Sequence, residues 1–379
     1  MRAPPTPSRG SVIVIVLVTI LFTALALTAF IEKASNDLLV ETRAVSASRL
    51  RQEAYSALEV TLAVLEDFRQ ADNGLHSPNE GWSDPLAWAG WTPPDGHAIE
   101  VSFEDESGKV SLSHADLTTL TSLFEAWQLA PADAENLADA LLGWMRKGYV
   151  YTTGLATDYG QGALPYAEPA RALRSFNELA AIDGVRTVFF DDRGRPNDKW
   201  WRFVADTSLY NFPKTNINGA PPDVLAAIGQ FTDTQQQKLG DYLAGRGSYS
   251  QSSGPQWFQA TSTAGAVAGV GGAAGSFATT IAALRIKITV HEGSSQYRLE
   301  AVVAPQGGAT LVTTTATSTG AGASASSGQS LTSQSGPSQT ATSAATAAAS
   351  NIQYPFTLLE IRENDAILTP PPPPPPTQS

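Results

Sequence analysis

The sequence has 379 residues, which is enough for two domains with hydrophobic cores. It carries 24 Lys and Arg against 36 Asp and Glu, for a net charge of -12, so clustered cations that would bind nucleic-acid phosphates are not expected. It contains no cysteine, which excludes disulfides, thiolate metal sites and thiol nucleophiles.

An uncharged apolar segment lies close to the N-terminus. Arg2 and Arg9 precede it, and the run from Ser11 to Ile31 contains no charged residue. As a helix, this run is long enough to cross the ~30 Å hydrocarbon layer of a bilayer. Basic residues before the run and acidic residues after it, beginning with Glu32, predict an N-terminus in the cytoplasm.

Three interpretations of this segment are open. A cleaved secretory signal would have a shorter apolar core followed by a small-residue cleavage site. A plain membrane anchor is the second interpretation. The third is a prepilin-type leader, residues 1–10, cut between Gly10 and Ser11 on the cytoplasmic side, so that the apolar helix stays in the mature protein. We expect the third, because Gly10 has no side chain and suits a narrow cleavage cleft.

The apolar run continues into a helix with few breakers, which predicts one long stem over residues 11–68. At 1.5 Å per residue such a helix is about 85 Å long, more than a bilayer requires. Residues 69–115 are rich in turn signals and contain two predicted short strands on either side of Glu106–Gly108. Trp82, Trp88 and Trp91 are expected to fill a core here.

Residues 116–246 have the apolar spacing of helices, with helix starts expected at Pro131 and at Pro221-Pro222. Residues 247–278 are rich in Gly, Ser and Ala, and we expect a loop. Residues 279–305 alternate between apolar and polar positions around Gly293, which predicts a β-hairpin.

The C-terminal part begins with a Ser/Thr/Ala/Gly tract, residues 306–350, that is expected to be disordered because it can bury little apolar surface. A last strand is predicted within 351–368, and 369–379 is a Pro-rich tail. The predicted fold class is therefore α+β: a long N-terminal transmembrane helix packed on a small antiparallel sheet, with a large helical domain inserted into the sheet.

Catalytic and metal-binding motifs are sparse. The four histidines lie far apart, and no GxSxG, HExxH or Walker sequence occurs, so an enzyme is not predicted. A loose GxGxxA match at Gly269, Gly271 and Ala274 is attributed to the Gly-rich loop. Acidic residues could gather around calcium, although EF-hand spacing is absent and solvated turns are the alternative. These residues are Glu104, Asp105, Glu106, Asp191, Asp192 and Asp206.

The segment NINGAPPDVL, residues 216–225, is the most specific internal motif and resembles a helix-hairpin-helix unit. Asn216 and Asn218 can close a turn through side-chain-to-backbone hydrogen bonds, and a helix can begin at Pro221-Pro222. One interpretation is a structural corner. The other is a membrane-anchored nucleic-acid receptor that presents backbone amides to phosphate, with Lys214 nearby. We favour the structural corner, because Pro, Asp and Gln surround the motif.

Taken together, these motifs resemble the minor pseudopilin K family of bacterial type II secretion. The resemblance rests on RG followed by SVIVIVLVTILFTAL, then DESGKVSLSHAD, ADALLGWM, the span 158–169, SFNELAAIDGV and TNINGAPPDVLAAIG, in the same order. It implies a long pseudopilin helix, an antiparallel sheet and an inserted helical domain with SAM-like, helix-hairpin-helix-like parts.

The resemblance also implies a function. Family members lack the glutamate that most pilins carry at the fifth mature position, and after a cut at Gly10 that position is Ile15. The family implies a non-catalytic protein at the tip of a periplasmic pseudopilus, anchored in the inner membrane. The implied partners are minor pseudopilins I and J, major pseudopilin G and prepilin peptidase, with no nucleic acid. A minor pilin of a type IV pilus is the nearest alternative.

Overall fold

The computed structural model describes residues 9–154, 158–161, 165–250, 256–312 and 355–364. The α-helices are α1 (Arg9–Asp72), α2 (Pro85–Trp88), α3 (Leu117–Ala126), α4 (Pro131–Met145), α5 (Arg186–Phe189), α6 (Asp198–Asp206), α7 (Pro222–Gly229), α8 (Asp233–Leu243) and α9 (Thr261–Ala268). The strands are β1 (His97–Asp105), β2 (Val110–Ser111), β3 (Thr207–Ser208), β4 (Leu284–Glu292), β5 (Ser295–Pro305) and β6 (Phe356–Glu363).

Helix α1 is 64 residues long and extends beyond the predicted 11–68 at both ends. Its large apolar side chains are exposed as far as Val45, and its burial begins at Leu50. From there the buried residues recur at helical spacing, so one face of the helix packs on the sheet. These buried residues are Leu50, Ala54, Ala57, Leu58, Thr61, Val64 and Leu65.

The sheet that receives α1 has the strand order β1-β4-β5-β6 and is antiparallel throughout. The predicted hairpin is β4 and β5, with Leu284 opposite Val303 and Glu292 opposite Ser295. Alternate residues of β4 are buried against α1, as a period of two requires. Strand β6 completes the sheet, and its register against β5 shifts between Val302 and Val303.

The helical part is inserted between β1 and β4 and has two cores. The first is built mainly from α3, α4, α5, α6 and α7, and the second from α7, α8 and α9. The first core already includes Val110, Leu112 and Ala115, so the helical part begins before the predicted boundary at residue 116. Strand β2 pairs in parallel with β3 rather than with β1.

The predicted loop 247–278 was wrong in its second half. Residues Thr261–Ala268 form α9, and Phe258 and Phe277 are fully buried in the second helical core. The small residues serve close packing: a Cβ at Gly265 would lie 2.7 Å from the main-chain oxygen of Val270. Composition indicated a loop because Gly was counted as a breaker, whereas Gly265 allows two segments of backbone to approach closely.

Two further expectations need correction. Trp82 is buried as predicted. Trp88, in contrast, is 62% exposed, although its ring contacts the ring of Phe68. The tract 306–350 begins with packed residues, because Ala309 is buried and Thr310 pairs with Asn211 through their backbones. The rest of that tract, from residue 313, lies outside the described residues, as does the Pro-rich tail.

Candidate assembly surfaces

The first candidate surface is the free part of α1. Its large apolar side chains from Ile13 to Val45 are exposed, and no strand or other helix of the described chain covers them. Within the described residues, α1 is the one helix long and apolar enough to cross a membrane. The uncharged run 11–31 would span about 31 Å at 1.5 Å per residue, which matches the hydrocarbon layer.

The predicted processing residues lie at the start of this helix. Gly10 and Ser11 are in the first turn of α1, so the cut proposed between them would leave the rest of the helix intact. Ile15 is 60% exposed on the same free segment. After the predicted cut, the fifth mature position would therefore carry an apolar side chain, where most pilins carry a glutamate.

The second feature is the junction between the sheet and the helical part, where Asn216 is fully buried. Its Nδ2 donates to Asp105 Oδ2 at 2.7 Å and to the main-chain oxygen of His76 at 3.0 Å. Its backbone N–H donates to the oxygen of Ser107 at 2.7 Å. The Asn side chain thus connects the end of β1 with the segment that follows α1.

Asn218 extends the same network. Its Nδ2 donates to the main-chain oxygens of Phe258 and Thr279, and its Oδ1 accepts from the Phe258 N–H at 2.7 Å. The backbone amides of Asn218 and Gly219 donate to Asn216 itself, to Oδ1 and to the main-chain oxygen respectively. These two amides are satisfied within the turn, which leaves them unavailable for a phosphate.

The remaining residues of the motif have local roles. Pro221 is the N-cap of α7 and Pro222 is its first residue, where the missing N–H costs no helical hydrogen bond. Lys214, the cation of the nucleic-acid interpretation, donates from Nζ to the main-chain oxygen of Gly275 at 3.0 Å. The sequence pointed to the two asparagines, but it gave no sign that Asp105, Ser107, His76 and Thr279 are their partners.

Comparison with known proteins gives one family match. A family model described as type II secretion system (T2SS), protein K, matches residues 102–191, from the end of β1 through α5. Residues 102–191 are therefore similar to protein K of the type II secretion system. The resemblance to protein K and the α+β fold class, both predicted from the sequence, are confirmed.

The chain is also similar to a solved structure, the crystal structure of the GspK-GspI-GspJ complex from the enterotoxigenic Escherichia coli Type 2 Secretion System. Sequence identity is 14% and the TM-score is 0.48, over 69% of this chain and 93% of that chain. A search among curated proteins gave no match. Protein K is a structural component of the secretion machinery, and the apolar α1 fits a single-pass membrane anchor.

The acidic residues considered for calcium face cations or backbone donors in this chain. Lys109 Nζ lies 2.5 Å from Glu104 and 3.2 Å from Glu106, and Arg285 Nη2 lies 2.5 Å from Glu106. Burial opposes the charge on Glu104, but Lys109 and Lys287 outweigh it and hold the pKa of Glu104 at about 2. Glu104 and Glu106 are therefore neutralised by the chain itself.

The other acidic residues lie apart from that pair. Asp191 accepts hydrogen bonds from the backbone and side chain of Arg195. Asp206 is buried and accepts from Trp127 Nε1 at 3.0 Å, and burial together with Asp223 raises the pKa of Asp206 to about 7. Over the described ranges, no three His, Asp or Glu side chains converge on a position that could hold a metal ion. The predicted acidic residues are not gathered into one site.

Asp105 has a different role from its two acidic neighbours. Its Oδ1 accepts from the N–H and the hydroxyl of Ser107, at 2.9 and 2.6 Å. Burial of the carboxylate raises the pKa of Asp105 to about 6, against the hydrogen bonds from Ser107 and Asn216 that favour the charged form. The carboxylate is a structural acceptor at the junction.

Proposed function

We propose that this protein is a non-catalytic minor pseudopilin at the tip of a type II secretion pseudopilus, where it assists the export of proteins across the outer membrane. The match of residues 102–191 to protein K carries the proposal. Its α1 helix anchors it in the inner membrane with the N-terminus in the cytoplasm, and the globular part lies in the periplasm.

The free segment of α1 supports a role in packing. An exposed apolar helix is costly in water, so this segment must be covered by lipid and then by the helices of other subunits. Beyond the uncharged run, Leu38, Leu39 and Val45 remain exposed among the charged residues of the stem. Such a mixed surface fits helix-to-helix contact in a pseudopilus rather than burial in lipid.

Ile15 supports the position at the tip. In a pilus, a glutamate at the fifth position is thought to neutralise the N-terminal amine of the next subunit, because an unpaired charge is costly away from water. A subunit with Ile15 offers no such carboxylate to a subunit above it.

The location of the helical part supports the same position. Ser46 of the stem donates to Glu292 at one end of β4, whereas the helical insertion joins the sheet at Asp105 and Leu284, the other end. With strands of nine residues, and so eight steps of ~3.3 Å, these ends are about 26 Å apart. The helical part therefore lies on the side of the sheet away from the membrane, where it would obstruct further stacking.

The proposal implies processing by prepilin peptidase between Gly10 and Ser11, a complex with minor pseudopilins I and J, and assembly on major pseudopilin G. It is tested in cells that lack their own copy of the gene and receive an affinity-tagged copy. Secreted enzyme in the medium and the pseudopilins recovered with the tag are measured. We expect restored secretion and recovery of I and J; normal secretion without the gene would contradict the proposal.

A further inference from the structure

A groove lies where the stem meets the globular part, with a volume of about 410 Å³. One wall is the stem helix and the other is the start of β5 together with Asn364 at the end of β6. We call it the neck groove. It is lined by Thr42, Arg43, Ser46, Ala47, Leu50, Ser295, Gln296, Tyr297 and Asn364.

The base of the neck groove is apolar apart from one hydroxyl. Leu50 is 2% exposed and Tyr297 is 4% exposed, while Ala47 is exposed on the helical wall. The hydroxyl of Tyr297 is buried and interacts with the Glu363 carboxylate and with Arg51. Glu363 already accepts from Arg51 and Tyr55. The polar groups at the base are therefore occupied by the chain itself, and the base offers a ligand mainly apolar surface.

Arg43 gives the neck groove a positive charge. Its neighbours on the stem are paired, Arg49 with Glu53 and Arg51 with Glu363. Arg43 is exposed and has no ion pair or hydrogen bond within the described part of the chain. A guanidinium at the edge of an apolar groove favours a partner with a carboxylate.

The neck groove continues along the free stem. Leu39, Arg43, Ser46 and Leu50 are spaced at i, i+4, i+7 and i+11, so they share one face of α1. Leu39 is 54% exposed and lies one turn below Arg43, towards the membrane. The stripe from residue 39 to residue 50 is about 16 Å long, or three helical turns. A second helix lying along the stem would follow this stripe into the groove.

We propose that the neck groove holds the stem helix of a neighbouring pseudopilin, which places a carboxylate against Arg43 and an apolar side chain between Ala47 and Tyr297. The inference rests on the proposed function and adds the position and the charge of the contact. The alternatives for the groove are the chain's own segment 365–379, which follows Asn364, and a second copy of this protein.

The position is tested by photo-cross-linking in secreting cells. A cross-linking amino acid replaces Gln296, an exposed residue of the neck groove, and the matched control replaces Gln237, an exposed residue of α8. We expect adducts from position 296 with the stem peptide of another pseudopilin, and none with that peptide from position 237. Adducts with residues 365–379, or with a second copy, would overturn the inference.

The contact is tested by filling the groove. Ala47→Trp puts an indole into it, and Ser48→Trp puts the same group about 100° further round the helix, outside the lining. Both sites are exposed, so neither change crowds the core. Ala47→Trp should lower the yield of the adduct from position 296 about tenfold, because the indole overfills a packed contact. Ser48→Trp should leave that yield near the wild-type value.

The charge is tested with Arg43→Glu, which should lower the yield of the adduct from position 296. The yield should recover when a Lys also replaces the partner's acidic residue nearest the cross-link. Equal adducts from Ala47→Trp and Ser48→Trp, with pseudopilins I and J still recovered, would overturn the neck-groove contact and leave the proposed function standing. Failure of the wild-type protein to associate with any pseudopilin would overturn both.

Discussion

Asn216 Nδ2 and Asp105 Oδ2 are 2.7 Å apart, although 111 residues separate them in the sequence. Asp105 ends β1 of the sheet, and Asn216 precedes α7 of the helical part. This hydrogen bond and those around it hold the helical part to the sheet on which the stem packs. The junction therefore determines whether the helical part is fixed relative to the membrane anchor.

Asn216→Ala should destabilise the protein by about 1–3 kcal/mol, because the Asp105 carboxylate loses a donor and the main-chain oxygen of His76 loses its side-chain partner. The measurement is urea unfolding of the full chain in detergent, followed by tryptophan fluorescence. Asn177→Ala is the control, since Asn177 is exposed and its side chain donates to nothing within the described residues. Equal stability of the two variants would contradict the role of the junction.

Two glycines let the backbones at the junction approach each other. A Cβ at Gly108 would lie 2.4 Å from the main-chain oxygen of Gly219, and a Cβ at Gly219 would lie 2.4 Å from Asp105 Oδ2. Gly108→Ala and Gly219→Ala should each lower the free energy of unfolding by about 1–3 kcal/mol through overpacking. The measurement is the same unfolding experiment.

Gly240→Ala is the control of opposite sign for these two variants. Gly240 lies within α8, and a Cβ there would meet nothing within 4 Å. Alanine favours the helix, so this variant should be more stable by about 0.5–1 kcal/mol. If all three substitutions have the same effect, close approach at the junction does not explain the glycines.

Asp206 should make stability depend on pH. Because its folded-state pKa is raised to about 7 by burial and by Asp223, the folded protein keeps a proton that the unfolded chain has already lost between about pH 4 and pH 7. This contribution is complete at low pH and disappears as the pH rises through 7. The free energy of unfolding of Asp206→Asn, relative to that of wild type, should therefore increase by roughly 2–4 kcal/mol as the pH rises from 4 to 8.

The measurement for Asp206 is unfolding by urea at unit steps of pH. Asp198→Asn is the control, because Asp198 is an exposed residue at the start of the same helix. The asparagine at position 206 keeps an oxygen that can accept from Trp127 Nε1. A difference between Asp206→Asn and wild type that stays constant with pH would show that the carboxylate does not titrate in this range.

Ile15→Glu tests the position at the tip. If no subunit lies above the protein, the new carboxylate has no amine to neutralise and costs roughly 2–3 kcal/mol in an apolar environment. We expect secreted enzyme in the medium to fall for Ile15→Glu and to stay near wild type for Ile15→Leu. Wild-type secretion by Ile15→Glu, at equal amounts of membrane-bound protein, would indicate that a subunit above provides a partner.

Local patterns in the sequence predicted the elements that depend on local physics. The uncharged run predicted α1, the alternation from Leu284 to Val303 predicted the β4–β5 hairpin, and Pro131 and Pro222 marked helix starts. Each of these signals is contained within a few turns or one strand pair, so no distant residue was needed to recognise it.

Long-range contacts determined what the sequence did not reveal. The pairing of β2 with β3, and of Asp105 with Asn216, joins segments about a hundred residues apart, and no local pattern encodes such a pairing. Helix α9 was missed because Gly265, a residue of poor helix propensity, is favoured there by its close approach to Val270. The neck groove was missed because its walls come from three separate segments.

The central claim is that α1 remains in the mature protein as a packing stem. N-terminal sequencing and intact mass of the protein isolated from membranes of cells with active prepilin peptidase test this directly. The account predicts a membrane-bound protein that begins at Ser11. A mature protein that begins near residue 30, released from the membrane without its apolar segment, would contradict it.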